Sequence, residues 1–286
     1  MTAAPRATAL GAVAVLLWSA LALLTVGAKR LPPFQLLALT FGMAGVLGIL
    51  LAVVRRKSLA AAARAYPQAL ALTSTALAGY HLCYFVALRN APAVDASLIA
   101  YLWPLLIVLF AGIAHGGLRP AHLAGAALGL LGTWLVVSMH GALAPDPAHA
   151  LGYAAAVGCA LIWSAYSVAN RRFAAAPVDI VTLACLATAL TGAAAHLALE
   201  RSVAPLPLEW LAVALLGLGP VGAAFFLWDY GTKHGNLPLL GVFSYAAPVL
   251  STLLLVAAGG AEPGWQLAAG ALLVGGGAAL ASWPRK

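Results

Sequence analysis

Ten apolar runs, each near 20 residues and parted by only a few polar ones, leave this chain of 286 residues almost nothing that water could solvate as a separate fold. They cover 7–27, 34–54, 66–89, 92–114, 119–138, 150–173, 178–199, 208–231, 236–258 and 263–282. A helix rises about 1.5 Å per residue, so roughly 20 apolar residues cross the hydrocarbon layer of a bilayer. Side chains are 64% hydrophobic and 8% charged, against about a quarter charged in soluble domains. The expected fold is all-α: a polytopic membrane protein of ten transmembrane helices, with lipid as its solvent. The first run is longer than the apolar core of a cleavable signal, about 7–15 residues, and reads as a retained span.

Punctuation supports these breaks. Pro32-Pro33, Pro92, Pro120, Pro145, Pro147, Pro177, Pro205, Pro207, Pro238 and Pro263 fall at or near run ends, where proline starts and stops helices best. The weakest gaps are Arg89-Asn90 and Lys233-His234-Gly235. Basic residues then set orientation. With the N-terminus inside, the inner loops and tails hold Arg6, Arg55, Arg56, Lys57, Arg64, Arg119, Arg171, Arg172, Lys233, Arg285 and Lys286. The outer loops hold only Lys29, Arg30, Arg89 and Arg201. Asp95, Asp146, Glu200, Glu209 and Glu262 lie outside. Both termini are therefore expected in the cytoplasm. The formal net charge of +8 is loop charge rather than a nucleic-acid surface, because the basic clusters lack interleaved aromatic residues.

The chain also repeats itself. Leu17-Trp18-Ser19-Ala20 returns as Ile162-Trp163-Ser164-Ala165, and Tyr101-Leu102-Trp103-Pro104 as Tyr245-Ala246-Ala247-Pro248. Tyr84 aligns with Trp228, Arg89 with Lys233, Gly125 with Gly270 and Gly132 with Gly277. The matches run in order at a nearly constant offset, which marks an internal duplication. The expected units are 1–144, holding spans 1–5, and 145–286, holding spans 6–10. Five is odd, so the second unit enters the membrane upside down. Inverted repeats of this kind place a substrate site near the midplane, between the units.

The paired Trp-Ser motifs, the paired Tyr-x-x-Pro motifs and the doubled five-helix plan resemble the EamA-type branch of the drug/metabolite transporter superfamily. Within it, the aromatic-rich spans look most like the bacterial aromatic amino acid exporters. The resemblance covers nearly the whole chain. It implies a ten-helix fold, residence in the bacterial cytoplasmic membrane and export of a small solute, an amino acid or related metabolite. No cofactor or metal is implied.

Residue patterns suggest where a solute would pass. Helical neighbours three and four apart share a face, which puts Trp163, Tyr166, Ser167 and Asn170 on one stripe of span 6. Asn and Ser in mid-span point away from lipid, toward helix contacts or a watery cavity. Span 3 offers Tyr80, His81 and Tyr84. His81 is a possible proton-sensitive group, or a neutral bonding partner for a neighbouring helix. Spans 4 and 9 carry Tyr101 with Pro104, and Ser244 and Tyr245 with Pro248. An interior proline cancels one backbone hydrogen bond, so Pro104 and Pro248 mark kinks that either gate or merely pack. Trp18 and Trp228 complete the candidate wall. Asp229 is a second coupling candidate, although Lys233 at i+4 suits a local ion pair. Spans 2, 5, 7 and 10 lack polar mid-span stripes and are expected to be scaffold.

Other chemistry is missing. The sequence has no phosphate-binding GxxxxGK[ST] loop, no HExxH and no paired mid-span carboxylates, so neither direct ATP drive nor catalysis is expected. Cys83, Cys159 and Cys185 sit singly in apolar runs and read as small buried hydrophobes. A secondary transporter of aromatic or bulky neutral amino acids, working by alternating access as a monomer or a dimer, is the leading expectation. Export of nucleosides, purines or cationic compounds is the alternative, ahead of a membrane enzyme or sensor.

Overall fold

A computed structural model describes residues 3–115, 118–140, 146–260, 262 and 264–283. Pro145, Pro263, Arg285 and Lys286 lie outside the described residues. Ten helices are long and apolar enough to span a bilayer: α1 (Ala4–Val26), α2 (Pro33–Val54), α3 (Pro67–Asn90), α4 (Ala93–Ala114), α5 (Pro120–Val137), α6 (Pro147–Phe173), α7 (Asp179–Leu199), α8 (Pro207–His234), α9 (Leu237–Ala257) and α10 (Trp265–Ser282). Each expected run becomes one helix, with ends shifted by a few residues. Proline opens α2, α3, α5 and α8, where its missing N–H has no helical partner to lose. A short surface helix, Leu59–Ala65, precedes α3 and is capped by the Ser58 hydroxyl.

Leu190, Leu197, Leu272 and Val54 are among the most exposed side chains. In water such a surface would aggregate; in a bilayer it is the lipid face. Trp210, Trp265 and Trp283 are exposed close to helix ends, as rings that anchor at the headgroup level are.

Helix pairing follows small residues. A Cβ added at Gly125 would meet the Gly277 carbonyl, and one at Gly132 would meet the Gly270 carbonyl; the reverse substitutions meet the same partners. The numbers run in opposite senses, so α5 and α10 lie antiparallel with their backbones in contact. Likewise Gly45 abuts Leu186, Gly48 abuts Thr182 and Gly192 abuts Leu37, which makes α2 and α7 antiparallel. Gly11 meets Gly231 where α1 crosses α8, and Gly79 faces Ile162 where α3 crosses α6.

Among the described residues, four of these helices are interrupted, three of them at a proline. Pro104 and Pro248 cannot donate to the carbonyls four residues back. α4 breaks at Tyr101–Leu102 and α9 at Ser244–Tyr245. The Ser244 carbonyl, deprived of its Pro248 donor, accepts instead from the Ala247 N–H at 3.1 Å. α1 breaks at Ala20. α8 carries a π-helical turn, Gly219–Ala223, around Pro220, a wide turn of the sort often found at functional sites.

Two buried clusters make up most of the interior. The larger cluster draws on α1, α2, α3, α4, α6, α7, α8 and α9. A separate cluster joins α4 and α9 to α5 and α10. Cys159 and Cys185 are buried, and all three cysteines are free.

Candidate functional site

At the centre of the larger cluster, aromatic rings from six helices meet. Trp18 of α1 lies 5.1 Å from Trp228 of α8, 5.7 Å from Trp163 of α6, 5.8 Å from Phe225 of α8 and 6.4 Å from Trp103 of α4. Trp163 and Trp228 are nearly parallel at 6.2 Å, and Trp103 meets Trp228 edge-on at 5.8 Å. Tyr80 of α3 lies 5.7 Å from Trp163 and stacks on Tyr84 at 6.1 Å. Phe41 of α2 stacks on Phe225 at 5.5 Å and meets His81 edge-on at 4.9 Å. Separations of 4.5–7 Å in tilted and edge-to-face poses are the attractive ones.

Two indoles are locked by the protein. Trp18 Nε1 donates to the Pro220 carbonyl at 3.0 Å, an acceptor presented by the π turn of α8. Trp228 Nε1 donates to Ser167 Oγ at 3.1 Å, and Ser167 donates to the Trp163 carbonyl at 2.8 Å. Trp103 and Trp163 have no such partner among the described residues, and both keep a little exposure. Their N–H groups are available to a ligand. Trp18, Tyr80, His81, Tyr84 and Tyr101 are only half-buried despite lying among these rings. Tyr101 stands beside Tyr84, whose hydroxyl faces Ser97. These half-buried rings keep accessible surface within the cluster, and the candidate chamber is the region they border.

His81 has a defined tautomer. Its Nδ1 lies 2.8 Å from the Leu77 carbonyl, which can only accept, so Nδ1 carries the proton. Nε2 is then a lone-pair acceptor. The chamber therefore offers ring faces, N–H and O–H donors and a neutral acceptor. This combination suits a flat apolar solute with a polar end.

Below the rings, toward the end that carries the chain termini, lies a buried polar network, a candidate lock. Lys233 Nζ donates to Asp229 Oδ2 at 2.9 Å and to the Ala176 carbonyl at 3.2 Å. Asn170 Nδ2 donates to Asp229 Oδ1 and to Thr232 Oγ1, each at 3.0 Å. The Asp229 and Lys233 side chains are 1% and 2% exposed. The pairing foreseen from the i+4 spacing is present, and it ties α6 to α8 and to the loop after α6.

Several sequence candidates take other places. Tyr245 is fully buried in the α4–α5–α9–α10 cluster, with its ring against Gly129. Ser244, also buried, turns its hydroxyl to the Leu240 carbonyl at 2.7 Å. Neither lines the chamber, because the break at Ser244–Tyr245 rotates this part of α9 toward α5 and α10. Asn170 belongs to the lock. Tyr166 is buried beneath Trp163, 5.2 Å between ring centres. Conversely, α2 is more than scaffold: Phe41 is fully buried among the rings. Trp103 was visible inside the Tyr101–Pro104 motif as the residue before the proline. Phe41 carried no signal, since a polar-stripe criterion is blind to an all-apolar span.

The sequence matches the model of the "EamA-like transporter family" twice, over residues 6–138 and 150–283. The chain belongs to the EamA-like transporter family. Among members of known name, the "Aromatic amino acid exporter YddG" of Ancylobacter novellus is 51% identical over 278 residues, 96% of each chain. The protein of the same name from Escherichia coli K12 is 28% identical, again over 96% of each chain. A solved chain titled "Crystal structure of protein" superposes with a TM-score of 0.92 at 50% identity, covering 98% of both chains. The double match gives each half of the chain one EamA unit, and the ten-helix expectation agrees with the helices described.

Proposed function

We propose that this EamA-family transporter exports aromatic amino acids across the bacterial cytoplasmic membrane by alternating access through the Trp–Tyr chamber. One observation carries the reading: rings from α1, α2, α3, α4, α6 and α8 converge where two indole N–H groups and His81 Nε2 lack partners among the described residues. An aromatic side chain stacks on such walls. An α-ammonium group donates to His81 Nε2 and sits against ring faces. The relatives named as aromatic amino acid exporters are in keeping with this chemistry.

The antiparallel pairs α2–α7 and α5–α10 join corresponding helices of the proposed units 1–144 and 145–286. That geometry supports an inverted repeat, the excess of Lys and Arg in the loops on the terminal side supports termini in the cytoplasm, and a monomer suffices because every ring of the chamber comes from one chain. The lock at Asp229–Lys233 then closes the cytoplasmic side, and the chamber opens outward. Pro104 and Pro248 sit at the breaks where α4 and α9 bend during the cycle. Asp229 is held by Lys233, which leaves His81 as the proton-sensitive candidate.

Export of cationic drugs is the weaker reading, because among the described residues the one carboxylate close below the rings, Asp229, is neutralised by Lys233 within the lock. The test is flux from liposomes loaded with labelled phenylalanine, tryptophan, a nucleoside and an organic cation, with and without a pH gradient. Selective release of the aromatic amino acids is expected. Release of the cation alone would overturn the reading.

A further inference from the structure

α3 carries His81, Phe85 and Arg89 at successive i, i+4 positions, which form one slowly turning stripe. Against it, α2 presents Phe41 and Phe34. Phe41 meets His81 at 4.9 Å, Phe34 meets Phe85 at 5.0 Å, and the Arg89 guanidinium lies 5.6 Å above the Phe34 ring. α7 packs on both α2 and α3, and His81 and Phe85 both keep accessible surface. Phe85 is also 6.5 Å from Tyr84, which stacks on Tyr80 beside Trp163. Rings thus run without a break from the central chamber to Arg89, at the end away from the chain termini.

At that end the guanidinium has one acidic neighbour among the described residues. Glu200 lies 3.7 Å away, beyond hydrogen-bond distance. Its carboxylate is already engaged by the Phe34 and Gln35 N–H groups, each at 3.1 Å, and by His196 Nδ1 at 2.9 Å. These bonds pin Glu200 on the N-terminus of α2, where a helix favours negative charge. Glu200 therefore steadies Arg89 over Phe34 without occupying its donors. Half of the Arg89 side chain stays exposed, at 52%. The aligned residue of the second half, Lys233, is buried in the Asp229 lock. One position of the repeat thus closes one end, while its counterpart presents an open, planar cation at the other.

We propose that Arg89, Phe34 and Phe85 form an exit subsite, distinct from the central chamber, that binds the carboxylate of an aromatic acid as it leaves. The proposal rests on the export reading above. A guanidinium grips a carboxylate through two parallel N–H bonds, and the adjoining Phe85 and Tyr84 rings receive the aromatic end of the same molecule. Occupation from outside blocks release, so the subsite makes export sensitive to external aromatic carboxylates.

The test uses wild type, Arg89→Gln and Arg89→Lys in liposomes loaded with labelled phenylalanine. The external probes are phenylpropionate, which has the carboxylate but no amine, and phenethylamine, which has the reverse. Phenylpropionate should slow wild-type export. Its half-inhibitory concentration should rise about tenfold in Arg89→Gln, the loss of a charge-assisted bond, and less in Arg89→Lys. Phenethylamine should inhibit all three proteins alike. Equal inhibition of wild type and Arg89→Gln by phenylpropionate would overturn the subsite. In parallel, the thermal stability of each purified protein is measured with and without phenylpropionate, since a ligand of the native state raises Tm. The rise should vanish in Arg89→Gln; a rise equal to wild type overturns the proposal even if no phenylalanine flux is seen, a result that would instead count against the export reading.

Discussion

Trp163 is the residue on which the chamber's shape turns, because it touches Trp18, Tyr80, Tyr166, Phe225 and Trp228 at once. Replacing it with Ala removes one stacking wall and one unpartnered N–H. We expect Trp163→Ala to insert normally yet lower phenylalanine flux by about tenfold, near 1.4 kcal/mol of lost ring contact. Unchanged flux would take Trp163 out of the pathway. His81 is read by its lone pair: protonation of Nε2 converts an acceptor into a donor. Wild-type flux should therefore fall once the medium is acid enough to protonate His81, while His81→Asn, whose amide oxygen stays an acceptor, should give a flatter profile. The same acid limb in both proteins would assign the pH dependence elsewhere.

Among the elements, the antiparallel α5–α10 pair depends on four glycines whose carbonyls and Cα atoms touch. A Cβ at Gly132 would stand 2.8 Å from the Gly270 carbonyl oxygen, a backbone atom that cannot move aside. Gly132→Leu should prevent this pairing and sharply reduce the yield of folded protein, whereas Gly276→Leu, on an open face of the same α10, should be tolerated. The proline breaks act differently. In α9 the Pro248 break is already accommodated by the Ala247–Ser244 bond. Pro248→Ala restores a regular helix and removes the bend, so maximal flux should drop while the half-saturating concentration changes little. A change confined to the latter would mean that α9 positions solute rather than moves.

For the whole molecule, the lock at the terminal end ties α6 to α8 within the second proposed unit through charges held out of water. Lys233→Met leaves Asp229 buried and unpaired, which costs about 3–5 kcal/mol. A clear fall in Tm is expected for that variant. The double replacement Asp229→Leu with Lys233→Met removes both charges and should recover most of the loss. If the single variant is as stable as wild type, the pair is not a dry lock in the membrane. Flux in the double variant is then informative, since a lock that opens during transport should be easier to open once it is uncharged.

The number of helices, their limits and the two proline breaks were legible in the sequence because each depends on local chemistry: run length against bilayer thickness, and a missing N–H. The proposed duplication comes from spacing alone. The contents of the chamber were only partly so. The Trp163 stripe and the Tyr80–Tyr84 face were visible as polar or amphipathic residues that lipid disfavours. Phe41, Trp103 and Phe225 join them for a reason no single span contains, namely which faces meet when antiparallel helices pack through their glycines. The same packing carries Tyr245 away from its expected place, although its motif matches that of Tyr101. Local sequence determined what spans and bends, since those energies arise within one helix. Tertiary structure alone decided which rings share a chamber, since that depends on the rotation of every helix about its own axis, set by its neighbours.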